Sequence, residues 1–193
     1  MNTTGFDRGE IIELLTELGR RLSAKGVAGR LYIVGGAAMA LEFDTRRTTR
    51  DIDAVFHPPT TVAEEAAVMA EDLGLPAGWL NSAASPFIPL PDDDPVTLDV
   101  EGLQVAVSSP ANLLAMKMAA GRPQDLTDLV VLFRHLKIRS PEKAVDIAER
   151  MYGEDSVVLS EPRESLLLLA ESVLARVHAS VDRRDLHPGG MAH

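Results

Sequence analysis

The stretch that most constrains the fold runs from Leu31 to Phe56, LYIVGGAAMALEFDTRRTTRDIDAVF. Leu31-Tyr32-Ile33-Val34 is apolar and rich in strand formers, and Gly35-Gly36 follows at once. Ala37 to Glu42 favours helix. Arg46, Arg47 and Arg50 then precede Asp51-Ile52-Asp53, which runs into the apolar Ala54-Val55-Phe56. The order is strand, glycine turn, short helix, basic loop, strand.

That order has chemical consequences. Residues two apart in a strand share a face, so Asp51 and Asp53 point the same way and Ile52 points into the core. Two residues of strand rise put the Asp Cα atoms about 6–7 Å apart, close enough to converge on a hard divalent cation such as Mg²⁺ or Mn²⁺. The Gly35-Gly36 turn lets backbone approach a ligand, and the helix start behind it offers N–H groups to phosphate. Gly-Gly after a strand is commonly only a turn, and Asp-x-Asp alone is commonly a solvated strand end. The two together, one short helix apart with arginines between, point to nucleotide chemistry.

With Arg47, Thr49, Asp51 and Asp53 in register, the pattern strand, Gly-Gly, helix, R-x-T-x-D-x-D resembles the polymerase-β-type nucleotidyltransferase superfamily. Downstream, Leu113-Leu114-Ala115-Met116-Lys117 and Arg122-Pro123-Gln124-Asp125-Leu126-Thr127-Asp128-Leu129 resemble a narrower group, the AbiEii-like nucleotidyltransferases, which include toxins of bacterial toxin–antitoxin pairs. The resemblance covers residues 10–137. It implies an α/β (α+β) fold: a small mixed sheet flanked by helices, with a helical C-terminal part. The expected division is a nucleotidyltransferase core over 1–108, a helical part over 109–180 and a tail over 181–193.

The resemblance also implies a chemistry. A nucleoside monophosphate would pass from a nucleoside triphosphate to an acceptor hydroxyl, with pyrophosphate leaving. Asp51 and Asp53 would hold Mg²⁺ (or Mn²⁺), and Asp99 is a candidate third carboxylate, since the superfamily often draws one from a later strand. Gly35, Gly36 and the helix start would hold phosphates, with Arg47 and Lys117 offsetting negative charge. Thr49 would contact phosphate or be modified. In the AbiEii-like toxins the acidic residue matching Asp125 belongs to the active site. Asp125 equally suits a helix first turn, where a carboxylate meets the dipole. The expected acceptor is the 3′ end of transfer RNA, in a toxin that blocks translation and has a cognate antitoxin protein. Two alternatives stand beside it: an enzyme that modifies a protein or a small molecule, and an inactive nucleotidyltransferase fold acting as a partner protein.

Composition narrows the setting. The chain has 193 residues and a net charge of −10, which argues against a general nucleic-acid coat protein. Charge is uneven, with seven cations against two carboxylates over residues 20–50, a candidate positive patch for triphosphate or an RNA end. No apolar run approaches a membrane span, the N-terminus does not read as a signal peptide, and there is no cysteine for disulfides or thiolate metal sites. A cytoplasmic protein without a membrane partner is expected. The five histidines show no metal-ligand spacing.

Elsewhere the pattern predicts helices. Asp7 and Glu10 have capping-box spacing ahead of a helix over 8–24. Thr61 and Glu64 suggest the same for 61–73, stopped at Gly74. Ser109-Pro110, Pro123, Ser140-Pro141 and Pro162 open four more, the last ending near Ala179. On the helix after Pro123, Asp128, Arg134, His135 and Lys137 are expected at the surface. Val96–Val100 and Leu103–Val107 read as a hairpin. Residues 74–95 read as irregular; there Trp79, Asn81 and Phe87 are candidates to touch a substrate or to pack the loop. Asp92-Asp93-Asp94 reads as either a ligand cluster or a solvated run.

Overall fold

The computed structural model describes residues 5–44, 47–89, 91–153 and 156–185. The chain forms two compact units, Met1–Ser109 and Pro110–His193.

In the first unit, α1 (Arg8–Ala24) is followed by β1 (Gly29–Ile33), α2 (Gly35–Glu42), β2 (Ile52–His57), α3 (Pro59–Leu73) and β3 (Leu80–Asn81). A 3-10 turn at Ser85–Phe87 then leads to the hairpin β4 (Val96–Val100) and β5 (Leu103–Val107). The five strands make one mixed sheet in the order β3-β2-β1-β5-β4. Within it β1 is antiparallel to β2 and parallel to β5, β2 is parallel to β3, and β4 is antiparallel to β5.

Alternation along the strands assigns the two faces. Leu31, Ile33, Ile52, Ala54, Val105 and Val107 are buried, on the side that α1 and α3 cover. Tyr32, Asp53, Val55, Thr97 and Ala106 fall between them and are half-buried or exposed. The predicted sheet of this α/β fold, its flanking helices and its hairpin are all present.

Helix ends follow their caps. Asp7 Oδ1 accepts from the Glu10 N–H at 2.9 Å, and Glu10 Oε2 accepts from the Asp7 N–H at 2.9 Å, closing the predicted capping box. The box expected at Thr61 and Glu64 is absent, because α3 begins two residues earlier, with Pro59 in its first turn and Pro58 as N-cap. A first-turn proline has no N–H to leave unsatisfied. Gly74, at φ +63°, stops α3 in the left-handed conformation.

The second unit is helical: α4 (Pro110–Ala120), a 3-10 turn at Pro123–Asp125, α5 (Leu126–His135), α6 (Pro141–Tyr152) and α7 (Arg163–Asp185). Within it α4 packs on α5 and α6, and α7 packs on α5 and α6. Arg163 at the head of α7 bridges Asp146 and Glu149 of α6. The last helix continues past the Ala179 expected from sequence to Asp185. Of the expected tail, residues 186–193 lie outside the described residues. No helix among the described residues is long and apolar enough to cross a membrane.

Candidate active site

The site grows from the end of β1. The register pairs Ile33 with Ala54, and the next rung is a 2.9 Å hydrogen bond from the Val34 N–H to the Asp53 carbonyl. This puts Asp53 beside the Gly35 turn. Gly35 has φ +65°, the left-handed region that favours glycine. A Cβ there would stand 3.2 Å from Asp53 Oδ2, so the carboxylate rests against the turn that starts α2.

Gly36 is filled from another direction. A Cβ on it would meet Thr49 Oγ1 at 2.6 Å and would lie 3.8 Å from a guanidinium nitrogen of Arg47. The Thr49 hydroxyl donates to the Asp51 carbonyl at 3.1 Å. Its backbone is held by an isolated antiparallel bridge to Phe6: the Phe6 N–H donates to the Thr49 carbonyl at 2.6 Å, and the Thr49 N–H to the Phe6 carbonyl at 2.9 Å. Sequence alone gave no sign of that pairing across more than forty residues.

Asp51 and Asp53 are both half-buried, while Ile52 and Ala54 between and after them are buried. The pair therefore shares the open face of the sheet. Asp51 has a partner that the sequence pattern did not assign: Asn81 Nδ2 donates to Asp51 Oδ2 at 3.3 Å. Strand β3 exists through this neighbourhood, with Asn81 in register with Asp53 and the Ile52 N–H donating to the Trp79 carbonyl at 2.7 Å.

The other candidates of that segment separate. Trp79 is buried, and its indole N–H donates to the Ala66 carbonyl at 2.9 Å, so it is part of the core. Phe87 is exposed. Asp92 is a fastening point: its Oδ2 accepts from the Tyr32 hydroxyl at 2.6 Å and from the Ser109 N–H at 2.8 Å. Burial alone would raise its carboxyl above the ordinary value, but the hydrogen bonds from Ser109 and Tyr32 outweigh burial and hold it below. Asp93 and Asp94 are exposed.

Asp99 requires a correction. It lies on the edge strand β4 opposite Gln104, which is level with Arg30 and His57. That level is four residues from Asp53 along the strands and three strands across, roughly 20 Å away. Asp99 is also exposed, so it does not join the pair. Among the described residues, no three His, Cys, Asp or Glu side chains come together as a metal-binding group. The Asp51 and Asp53 pair offers hard oxygen only. It suits Mg²⁺, which is commonly held by one or two carboxylates with substrate phosphates and waters completing its shell.

The expected positive patch also disperses. Arg20 and Arg21 pair with Glu17, Arg21 also with Asp72 of α3, and Lys25 with the buried Glu65. Arg21 and Lys25 thus link the end of α1 to α3, while the Arg20 pair stays within α1. Arg47 stays at the site, Arg50 is exposed, and Arg46 lies outside the described residues.

In the second unit, Lys117 is buried, at 7% exposure. Its Nζ stands 2.7 Å from Asp125 Oδ1 and 2.6 Å from Asp128 Oδ2. Asp125 occupies the N-cap position of α5 without a side-chain capping bond; its carboxylate is turned to the lysine instead. Asp128, expected at the surface, is buried at 2% exposure, because it is the second carboxylate of this triad. Arg134, His135 and Lys137 are exposed as expected.

A mixed five-stranded sheet, a glycine turn feeding a helix, and a carboxylate pair on the neighbouring strand define the nucleotidyltransferase fold. A family model described as "Nucleotidyltransferase of unknown function (DUF6036)" matches residues 10–154, and the chain belongs to that family. Among solved structures, the chain is similar to an antigenic nucleotidyltransferase-like protein from Paracoccidioides brasiliensis, with 16% identity over 93% of this chain and 94% of that one, at a TM-score of 0.42. None of the curated proteins matches.

Proposed function

We propose that the chain is a metal-dependent nucleotidyltransferase that moves a nucleoside monophosphate from a nucleoside triphosphate to an acceptor hydroxyl and releases pyrophosphate. The family and fold support the transferase class. The observation that carries the finer reading is the Asp53 carboxylate against Gly35 at the head of α2, with Thr49 and Arg47 against Gly36. In this reading a cation-binding group and a phosphate-binding turn stand side by side.

In this reading Asp51 and Asp53 hold Mg²⁺ or Mn²⁺, which when bound would neutralise charge on the attacking and leaving oxygens. Backbone N–H groups of Gly35, Gly36 and the first turn of α2 face the β- and γ-phosphates. Arg47 offsets negative charge that develops in transfer, and the Thr49 hydroxyl contacts phosphate. Lys117 and Asp125 are the candidates that the AbiEii-like motif adds, and within the second unit Asp125 fixes the lysine amine.

For the acceptor, the motifs around Lys117 and Asp125 support the 3′ end of transfer RNA, in a cytoplasmic toxin held in check by an antitoxin protein. One observation favours a protein or small-molecule acceptor instead. The net charge is −10, and the α1 cations that would have met RNA are engaged with Glu17, Glu65 and Asp72.

Incubation of the protein with each radiolabelled triphosphate, Mg²⁺, total RNA and cell protein distinguishes these readings. Label in transfer RNA supports the toxin, and label in protein or a small molecule supports the second reading. Asp51→Asn and Asp53→Asn are each expected to abolish labelling while the fold is kept. No label with any triphosphate, together with an unchanged melting curve at millimolar triphosphate and Mg²⁺, would overturn the enzyme reading in favour of an inactive partner protein.

A further inference from the structure

We infer that Asn81 is a positioning residue for Asp51: its amide holds one carboxylate oxygen and leaves the other directed at the cation. The inference rests on the reading of Asp51 as a cation ligand. Asn81 Oδ1 accepts from the Ala83 N–H at 2.9 Å, which fixes the oxygen end of the amide. Its Nδ2 therefore faces Asp51 Oδ2 at 3.3 Å and the Gly78 carbonyl at 3.4 Å. A flip would turn the NH₂ group onto a backbone N–H and the oxygen onto a carboxylate, losing the bonds at both ends. Asn81 is thus held as a donor, and a donor is satisfied by the ionised carboxylate.

Strand β3 explains how this amide is placed. It is two residues long, and the Trp79 and Leu80 side chains before Asn81 are buried. Two apolar anchors and the β2 pairing leave Asn81 alone to turn toward Asp51 at the open face. Of the two carboxylates, Asp53 leans on the rigid Gly35 turn, whereas Asp51 precedes the first residue of β2. The Asp51 carboxylate, outside the strand ladder, is held by the Asn81 amide. Groups that orient a metal ligand from behind typically change metal affinity 10–100-fold when removed.

The test is Mn²⁺ binding to the full chain, read by water-proton relaxation, for wild type, Asn81→Ala, Asp51→Asn and the double variant, with melting midpoints alongside. The expected result is an affinity about tenfold weaker for Asn81→Ala, with no further loss when that change is added to Asp51→Asn. Asn81→Ser, whose hydroxyl can still accept from the Ala83 N–H but is too short to reach Asp51, is expected to weaken binding about as much as Asn81→Ala, and it serves where the alanine variant does not fold. Equal losses from Asn81→Ala with and without Asp51 would mean that Asn81 acts through the loop rather than through the carboxylate, and would overturn the inference. So would unchanged affinity in Asn81→Ala while Asp51→Asn weakens binding, and that outcome leaves the cation reading intact. A wild type that binds no Mn²⁺, or an Asp51→Asn variant that binds as wild type does, overturns the cation reading itself and this inference with it.

Discussion

Replacing Lys117 by methionine is expected to destabilise the helical unit severely. The side chain keeps its length and apolar stem but loses the ammonium that sits 2.7 Å from Asp125 and 2.6 Å from Asp128. Two carboxylates would then face each other across the vacated position, with side-chain exposures of 13% and 2%. Two like charges about 5 Å apart at an effective dielectric of about 20 repel by roughly 3 kcal/mol. Breaking a buried pair by removing one partner typically costs about 3–5 kcal/mol. In a chain of this length that corresponds to a melting midpoint about 6–20 °C lower. Asp128→Asn is expected to cost less, about 1–2 kcal/mol, because the lysine keeps Asp125 and the cluster becomes neutral. The double variant Lys117→Met/Asp128→Asn relieves the carboxylate repulsion, so it should be more stable than the sum of the single changes by at least about 2 kcal/mol. Urea unfolding of the four proteins, followed by circular dichroism at 222 nm, measures the cycle. A Lys117→Met cost under about 1 kcal/mol, or strict additivity, would refute the reasoning. Activity lost in Lys117→Ala therefore reports on chemistry only where the folded fraction has been measured.

Three further outcomes follow from named contacts. Gly36→Ala should lose most phosphate-dependent function and about 1–3 kcal/mol of stability, since its Cβ would stand 2.6 Å from Thr49 Oγ1; wild-type triphosphate binding by calorimetry would count against the cradle. Asp99→Asn should transfer nucleotides at the wild-type rate, and a tenfold slower rate in the labelling assay would show that its place on the far edge strand misleads. The Asp92 carboxyl lies below its ordinary value of 3.8 in the fold, so its stabilising contribution is complete above that value and fades as pH falls through the lowered one. Asp92→Asn should accordingly be less stable than wild type at pH 7 by about 1.5–3 kcal/mol, the scale of hydrogen bonds to a charged group, and the gap should narrow toward pH 3 in urea titrations. A gap independent of pH would remove the carboxylate from the account.

How much of this was legible depended on whether the interaction was local. The order of elements from Leu31 to Phe56 could be read because each is announced by its own residues: apolar strand, two glycines, helix formers, alternating carboxylates. Helix starts at Asp7 and Ser140 were legible for the same reason, since a cap bonds to a residue three positions away. The start of α3 was misread because Thr61-x-x-Glu64 has the capping pattern, while Pro58 and Pro59 had already set the backbone for helix entry. Strand β3 was missed because two residues carry no detectable alternation; it exists only because Trp79 and Leu80 find a core and Ile52 supplies a pairing partner.

The carboxylates show the same limit in a sharper form. An aspartate's identity says nothing of its partner, and here five of them diverge. Asp51 and Asp53 share a face beside the Gly35 turn, Asp92 fastens a loop to Tyr32 and Ser109, Asp99 stands at an edge, and Asp128 is buried on Lys117. Periodicity placed Asp128 off the apolar stripe of α5 and so at the surface. The inference failed because a helix face that looks polar can still be buried when the neighbouring helix supplies an opposite charge. Lys117 is itself set among Leu113, Leu114 and Met118 on α4, so the polar mark on each helix is explained by the other. Reading either helix alone gives a snorkelling lysine and a solvated aspartate. Only the pair has low-energy burial, because each charge is expensive in the interior unless the other is there.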